Sequence, residues 1–178
     1  MSSVSLLALR PEIAAAQQHA RQAAATSGTQ LTYFDHAAAA EIEAIAAQIV
    51  PTDDTPGARE AGVIYFIDRA LGSFFKENQE AYRKGLAELQ AKRAAMFPGS
   101  SSVALLEPEQ QLALVKAIDG TPFFEMVRAH TMIGFFNSPD QGGNRDYIGW
   151  KLLGMEHQMV FQPPFGFYDA EVSKEDSR

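Results

Sequence analysis

The sequence predicts an all-α fold: an irregular single-domain helical bundle with an extended C-terminal tail rich in proline and aromatic residues. Apolar residues recur at helical spacing along successive segments. No segment shows the strict alternation of apolar and polar residues that is typical of a half-buried strand. The chain has 178 residues, of which 46% are hydrophobic and 21% are charged. These values fit one domain with a packed core.

The chain divides into three parts by composition. Residues 1–30 form an N-terminal segment dense in alanine, residues 31–170 form the helical domain, and residues 171–178 form a polar tail. Alanine favours helix but buries little surface. We therefore expect residues 11–25 to form a helix that needs another surface, such as a partner protein, to pack on.

The clearest helical pattern lies within residues 31–51 and ends before Pro51. Thr32 and Asp35 have spacing similar to a capping box, and Asp35 is suited to cap the helix by itself. One apolar stripe with steps of four, three and four residues runs through Ala38, Ile42, Ile45 and Ile49. A turn-rich loop around Pro56-Gly57 follows.

Residues 63–75, "VIYFIDRALGSFF", are apolar on nearly all sides of a helix. The pattern predicts the central buried helix of the bundle. A buried strand is the competing interpretation, but the run is long for a strand.

Three more helices are predicted. The first spans Glu77–Phe97, with an apolar face formed by Tyr82, Leu86, Leu89 and either Met96 or Phe97. The second spans Glu107–Ile118, with Leu112 and Val115 on one side and Leu114 and Ile118 nearby. The third spans Thr121–Phe136, with Thr121 as N-cap and Pro122 at the first helical position. Its apolar spacing is set by Phe123, Met126, Val127, His130 and Ile133.

The stretch "FFNSPDQGGNRDYIGWKLLG" spans residues 135–154 and contains the only tryptophan. Gly142 and Gly143 lack the spacing of a dinucleotide-binding or P-loop motif, so we expect them to form a sharp turn between two helices. Asn144 is predicted to cap the next helix, and Asp146 suits the dipole of its first turn. That helix is predicted to carry Tyr147, Ile148, Trp150 and Leu152.

Arg145 and Trp150 each have two interpretations. The Arg145 guanidinium can pair with an internal carboxylate, such as Glu125 or Asp140, or with a group on another chain. Trp150 is suited to a core position, and tryptophan is also a preferred anchor at interfaces.

Composition argues against several functions. The net charge of −7 and the lack of a Lys/Arg run argue against nucleic acid as a partner. No apolar run approaches the ~20 residues of a membrane span, so we expect no direct membrane insertion. The absence of cysteine excludes disulfides and thiolate metal sites. No serine lies in a Gly-x-Ser-x-Gly elbow. We therefore expect no catalytic, metal-binding or cofactor-binding residues in this chain.

The histidines do not have the spacing of a metal site. His130 is expected to be a hydrogen-bonded core residue because it lies on an apolar helix face. His157 follows Glu156 in a predicted loop, where a structural or a functional role is possible. Asp53 and Asp54 lie in a Thr-Asp-Asp-Thr turn that is ordinary loop chemistry.

The stretch "GFFNSPDQGGNRDYIGWKLLG" resembles the signature of the gluconate 2-dehydrogenase subunit 3 family. The shared features are Gly-Phe-Phe, Gly-Gly-Asn-Arg, and Gly-Trp followed by lysine and glycine. Two further stretches are similar to family segments: "AAQIVPTDDTPGAREAGVIYFID" and the tail "PPFGFYD". The resemblance covers roughly residues 31–169.

The resemblance implies a non-catalytic small subunit. Such a subunit binds, stabilises or helps mature an FAD-dependent dehydrogenase of the glucose–methanol–choline type that oxidises sugars or sugar acids. The cofactor FAD would then lie in the large subunit, and a third subunit, a cytochrome c, could carry haem c. By resemblance the complex is periplasmic. A cytoplasmic complex is the alternative, because residues 1–13 contain no recognisable secretory or twin-arginine signal.

The residues expected to shape the signature or contact the large subunit fall into two groups. The signature group is Gly142, Gly143, Asn144, Arg145, Gly149 and Trp150. The tail group is Pro163, Pro164, Phe165 and Tyr168. The alternative functions are a stand-alone hydrolase or isomerase using Asp53, His130 or His157, and a free-standing helical binding module.

Overall fold

The computed structural model describes residues 30–155. In this part the chain forms six α-helices: α1 (His36–Ile49), α2 (Val63–Gly72), α3 (Gln79–Met96), α4 (Pro108–Ile118), α5 (Pro122–Phe136) and α6 (Ile148–Leu152). Short 3-10 turns lie at Lys76–Asn78, Val103–Leu105, Pro139–Gln141 and Arg145–Tyr147. No β-strand occurs among the described residues. The all-α prediction is confirmed, whereas the predicted N-terminal helix and the C-terminal tail lie outside the described part.

The centre of the bundle is α2, as the sequence predicts. Seven of its ten residues are buried, so the helix is covered on nearly all sides. It packs most extensively on α5, and α1 contacts α2, α4 and α5. The largest fully buried side chains include Ile42, Phe66, Leu71, Tyr82, Leu89, Leu114 and Phe135. Every helix from α1 to α5 therefore contributes to one hydrophobic core.

The predicted helix starts are confirmed at α1 and α5. The Asp35 carboxylate accepts a hydrogen bond from the Ala38 N–H at 2.7 Å. The Thr121 hydroxyl accepts one from the Phe124 N–H at 3.2 Å, with Pro122 at the first helical position. At α4 the cap is Glu107, which forms a reciprocal capping box with Gln110. These side chains satisfy N–H groups that have no partner within the helix.

Two residues assigned to apolar faces are exposed. Leu112 on α4 is 42% exposed and Ile133 on α5 is 44% exposed. At 100° per residue, each lies more than about 100° from the centre of its helix's buried face. At the end of α3, Met96 is exposed and Phe97 packs against the core, so Phe97 closes that face.

A buried carboxylate joins α2 to the segment before α1. Asp68 is fully buried and accepts hydrogen bonds from the N–H groups of Thr32, Tyr33 and Phe34 at 2.6, 2.9 and 2.8 Å. It also accepts one from the Thr32 hydroxyl at 2.8 Å. The Thr32 side chain therefore does not form a capping box with Asp35. Burying a charge is costly unless it is well hydrogen-bonded, and four donors meet that requirement.

We predict that Asp68→Ala lowers the free energy of unfolding by at least about 3 kcal/mol, because three backbone N–H groups lose their acceptor. Urea unfolding followed by circular dichroism measures this change. Asp54→Asn is the matched control, since Asp54 is exposed in the loop before α2. It is expected to change stability by no more than about 0.5 kcal/mol. Equal effects of the two variants would contradict a structural role for Asp68.

Candidate interaction site

The signature residues form a turn that connects α5 to α6 and lies against α2. We call residues 142–147 the glycine turn. The Arg145 N–H donates to the Ala61 carbonyl at 3.0 Å, just before α2. The Arg69 guanidinium of α2 donates to the Asp140 carbonyl at 3.4 Å, just before the turn. The glycine turn and the residues just before it are therefore attached to both ends of the central helix.

The glycines are required because backbones approach closely. A Cβ atom on Gly143 would lie 2.1 Å from the carbonyl oxygen of Gly134 on α5. A Cβ atom on Gly149 would lie 2.0 Å from the Phe135 carbonyl oxygen. A Cβ atom on Gly134 itself would lie 2.7 Å from the Phe66 ring. The turn and α6 therefore sit directly on the last turns of α5, with no room for a side chain between them.

The backbone of the glycine turn is strained. Gly142, Gly143, Asn144, Asp146 and Tyr147 all have positive φ, between 39° and 87°. Asn144, Asp146 and Tyr147 are the non-glycine residues with positive φ in the described part of the chain. Each such residue costs about 1–3 kcal/mol and persists only where its surroundings hold it in place. The predicted sharp turn is present, but its strain extends beyond the glycines.

Asn144 holds the turn together from the inside. It is fully buried, its side-chain amide donates to the Asn137 carbonyl at 2.7 Å, and its amide oxygen accepts from the Gly149 N–H at 2.8 Å. Asn144 precedes the 3-10 turn Arg145–Tyr147 and the N-cap position of α6 is Tyr147, but the predicted capping of that helix by the Asn144 side chain is present. Asp146 likewise lies in the 3-10 turn before α6. The Asn144 side chain still satisfies an N–H in the first turn of α6, from five residues away.

Trp150 attaches α6 to α5. Its indole N–H donates to the Phe136 carbonyl at 2.7 Å, and its ring lies 5.3 Å from the Tyr147 ring. The residue is half-buried. This contact favours the structural interpretation of Trp150, because it satisfies a carbonyl at the C-terminus of α5.

Arg145 points away from the core. Its guanidinium carbon lies 5.6 Å from the centroid of the Tyr65 ring, and the residue is exposed. Glu125, one predicted internal partner, pairs with Arg128 instead. None of the ion pairs among residues 30–155 involves Arg145, so the pairing with Glu125 or Asp140 is wrong. Its side chain is held by an aromatic ring rather than by a carboxylate.

Exposed apolar side chains surround the end of α6. Leu152, Leu153 and Met155 are 50%, 59% and 51% exposed. On α5, which precedes the glycine turn, Met132 and Ile133 are 41% and 44% exposed. The sequence predicts Leu152 within this helix, and the structure places it there with an exposed side chain.

The residues of the alternative enzyme hypothesis have structural roles where the structure describes them. His130 is buried, its Nδ1 lies 2.9 Å from the Tyr82 hydroxyl, and its ring stacks on Phe75 at 4.5 Å. The prediction of a hydrogen-bonded core histidine is confirmed. Burial lowers the pKa of His130, and nearby Glu77 opposes this effect. Asp53 is exposed, and two hydrogen bonds from Thr55 lower its pKa. His157 lies outside the described residues.

A groove of about 500 Å³ lies between the end of α3 and α4. Its lining contains no titratable side chain: Met96, Phe97, Pro98, Gly99, Ser100, Ser101, Leu105, Leu106 and Gln110. General acid–base catalysis needs such a group within hydrogen-bond reach of the substrate. Among residues 30–155, no three His, Cys, Asp or Glu side chains are placed to hold a metal ion.

Sequence reasoning missed three residues of the site. Gly134 accommodates both Phe66 and the glycine turn, Tyr65 supports Arg145, and Gly62 lies against the same guanidinium. An isolated glycine within the apolar pattern of α5 was a signal for close packing. Nothing local indicated Tyr65 or Gly62, because their contacts come from the other end of the domain.

The fold and this site define a class of protein: a small all-α domain whose signature residues form a strained turn between its last two helices. The chain belongs to the gluconate 2-dehydrogenase subunit 3 family, whose model matches residues 36–156. The predicted family resemblance is confirmed. The family description denotes one subunit of a dehydrogenase complex. No curated protein and no solved structure gives a significant match. No helix within residues 30–155 is long and apolar enough to cross a membrane.

We predict that Gly143→Ala destabilises the fold more than Gly120→Ala does. Both glycines have similar φ values, +69° and +73°, so both variants bear the left-handed penalty of roughly 1–2 kcal/mol. Only Gly143 also meets the Gly134 carbonyl, whereas a Cβ on Gly120 meets nothing within 4 Å. Overpacking adds about 1–3 kcal/mol for Gly143→Ala. Chemical denaturation measures the difference, and equal losses would contradict the close approach.

We predict that stability falls as the pH drops below the ordinary histidine pKa of 6.5. Burial lowers the folded-state pKa of His130, so the unfolded chain binds the proton more readily in this window. The contribution of this group is at most about 1.4 kcal/mol per pH unit, and it ends below the folded-state pKa. Urea unfolding between pH 8 and 5 checks it. His130→Phe should show a weaker dependence of the free energy of unfolding on pH. An unchanged dependence would contradict the assignment of this effect to His130.

Proposed function

We propose that this chain is the non-catalytic small subunit of a dehydrogenase complex. It binds, stabilises or helps mature an FAD-dependent large subunit of the glucose–methanol–choline type that oxidises a sugar or sugar acid. The observation that carries the proposal is membership in the gluconate 2-dehydrogenase subunit 3 family over residues 36–156. The internal use of the signature glycines and of Asn144 supports it, because these residues build a surface and hold no reacting group.

The contact surface we propose is the exposed end of α6. Leu152, Leu153 and Met155 expose large apolar side chains within four residues. Clustered apolar side chains of this kind commonly mark protein–protein contacts. Trp150 and Asn144 hold α6 on α5, so the apolar side chains are presented on a fixed element. A fixed surface loses less conformational entropy when a partner binds.

Two segments outside the described residues belong to the proposal by their composition. Pro163, Pro164, Phe165 and Tyr168 would lie along the large subunit, since prolines limit the entropy lost on binding and aromatic residues are frequent interface anchors. The alanine-rich segment 11–25 would be a second contact. The cofactor FAD would be bound by the large subunit, with haem c in a cytochrome subunit where one is present. We propose a periplasmic complex, with a cytoplasmic one as the alternative.

Co-expression tests the function. A candidate FAD-dependent large subunit from the same genome is expressed with and without this chain, and the soluble, FAD-loaded large subunit is measured by its flavin absorbance after purification. We expect a larger yield, and co-elution of the two chains, only when both are present. Equal yields of FAD-loaded large subunit without this chain would reject the proposal.

A pair of variants tests the surface. Leu153→Asp is expected to weaken the complex about tenfold or more, because it places a charge in an apolar contact. Leu105→Asp is the matched control: Leu105 is also exposed, but it borders the groove between α3 and α4. It should change the dissociation constant less than about twofold. A larger increase in the dissociation constant for Leu105→Asp than for Leu153→Asp would indicate that the interface lies at that groove instead.

A further inference from the structure

Arg145 is an exposed cation in a fixed position. Its backbone N–H donates to the Ala61 carbonyl at 3.0 Å, and its guanidinium lies over the Tyr65 ring. The Gly62 backbone leaves the space that the guanidinium occupies, since a Cβ there would lie 3.1 Å from the Arg145 Nη2. Three residues at the start of α2 therefore determine where this side chain lies.

The backbone around Arg145 is held in a costly conformation. The residues on both sides, Asn144 and Asp146, have positive φ values of 39° and 55°. Asn144 is also fully buried and hydrogen-bonded at both ends of its side chain. Strain of this kind is concentrated at binding and catalytic positions, where it is maintained by the rest of the structure. Arg145 is the exposed side chain that this conformation places over Tyr65.

The chemistry of the guanidinium defines what it can bind. It carries five N–H donors in a plane, and the fork-shaped edge matches the two oxygens of a carboxylate. An aromatic ring over one face leaves the donors at the edges available. Three other exposed arginines, Arg59, Arg83 and Arg128, each face a glutamate on this chain. Arg145 has no such carboxylate among the described residues.

We propose that Arg145, supported by Tyr65, binds a carboxylate side chain of the FAD-dependent large subunit. This inference rests on the proposed function, because it names the chemistry of one contact in that complex. Arginine and tyrosine are enriched among the residues that dominate binding energy at interfaces. A phosphate polymer is a poor alternative, because the chain has a net charge of −7 and would repel it.

The fixed position of Arg145 also explains how a single exposed arginine could contribute to binding affinity. An exposed ion pair gains little when two long side chains must be ordered to form it. Here the ring, the backbone hydrogen bond and the buried Asn144 restrict the arginine before binding. Only the partner's carboxylate has to be ordered, and the interface around it excludes water, which strengthens the pair.

The test measures the affinity of the purified large subunit for variants of this chain by surface plasmon resonance. Arg145→Gln is expected to weaken binding about tenfold or more. Arg145→Lys should recover little, because an ammonium group lacks the bidentate edge. Tyr65→Leu should weaken binding at least about threefold, and Tyr65→Phe should retain more affinity than Tyr65→Leu because the ring remains. Arg128→Gln is the matched control and should change affinity less than about twofold.

Two further measurements separate a binding role from a structural one. The thermal midpoint of Arg145→Gln should stay close to that of the wild type, since the backbone bond to Ala61 does not need the side chain. Affinity for the wild-type chain should fall as salt rises from about 50 to about 500 mM, and the fall should be smaller for Arg145→Gln. If Arg145→Gln does unfold, Arg145→Lys and Tyr65→Leu carry the test.

The outcomes distinguish the two proposals. If the wild-type chain does not bind the large subunit, the proposed function fails and this contact fails with it. If the wild type binds and Arg145→Gln and Arg145→Lys bind equally well, only the assignment of Arg145 is overturned. Substituting Asp and Glu of the large subunit one at a time by Asn and Gln should reveal one position whose effect disappears in the Arg145→Gln background. Additive effects at every position would also overturn it.

Discussion

The close approach of Gly143 to the Gly134 carbonyl is the contact on which the C-terminal half of the domain depends. A Cβ atom at position 143 would lie 2.1 Å from that oxygen, so only glycine permits the glycine turn to rest directly on α5. Gly134 in turn leaves room for the Phe66 ring of α2. The glycine turn therefore meets α5 at backbone distance and α2 meets α5 through the Phe66 ring, and the positions of α6, Trp150 and Arg145 follow from these contacts.

The residues that mark the family have different tasks within this one arrangement. The glycines permit the approach, Asn144 ties the end of α5 to α6, and the Trp150 indole satisfies a carbonyl of α5. Arg145 differs from them, because its side chain is exposed and held on Tyr65. The signature therefore combines residues that fix the backbone with one residue, Arg145, whose side chain is exposed at the surface.

Buried polar side chains also connect separate elements of the core through hydrogen bonds. Asp68 orders the segment before α1 through four hydrogen bonds, and His130 pairs with Tyr82 while stacked on Phe75. Glu41 is buried beside the Val103 N–H, and burial raises its pKa. These groups therefore join elements of the bundle that are distant in the sequence.

The sequence by itself determined the all-α class, the central α2 helix, and the caps Asp35 and Thr121, because helical spacing and capping depend on residues only a few positions apart. It also located the glycine turn and the family. Only the tertiary structure decided the outward orientation of Leu112 and Ile133, the hydrogen bonds of Asp68 and Asn144, and the support of Arg145 by Tyr65. Those outcomes depend on partners brought together by folding, at separations of 36 residues for Asp68 and Thr32. The local sequence pattern does not indicate contacts between residues so far apart in the chain.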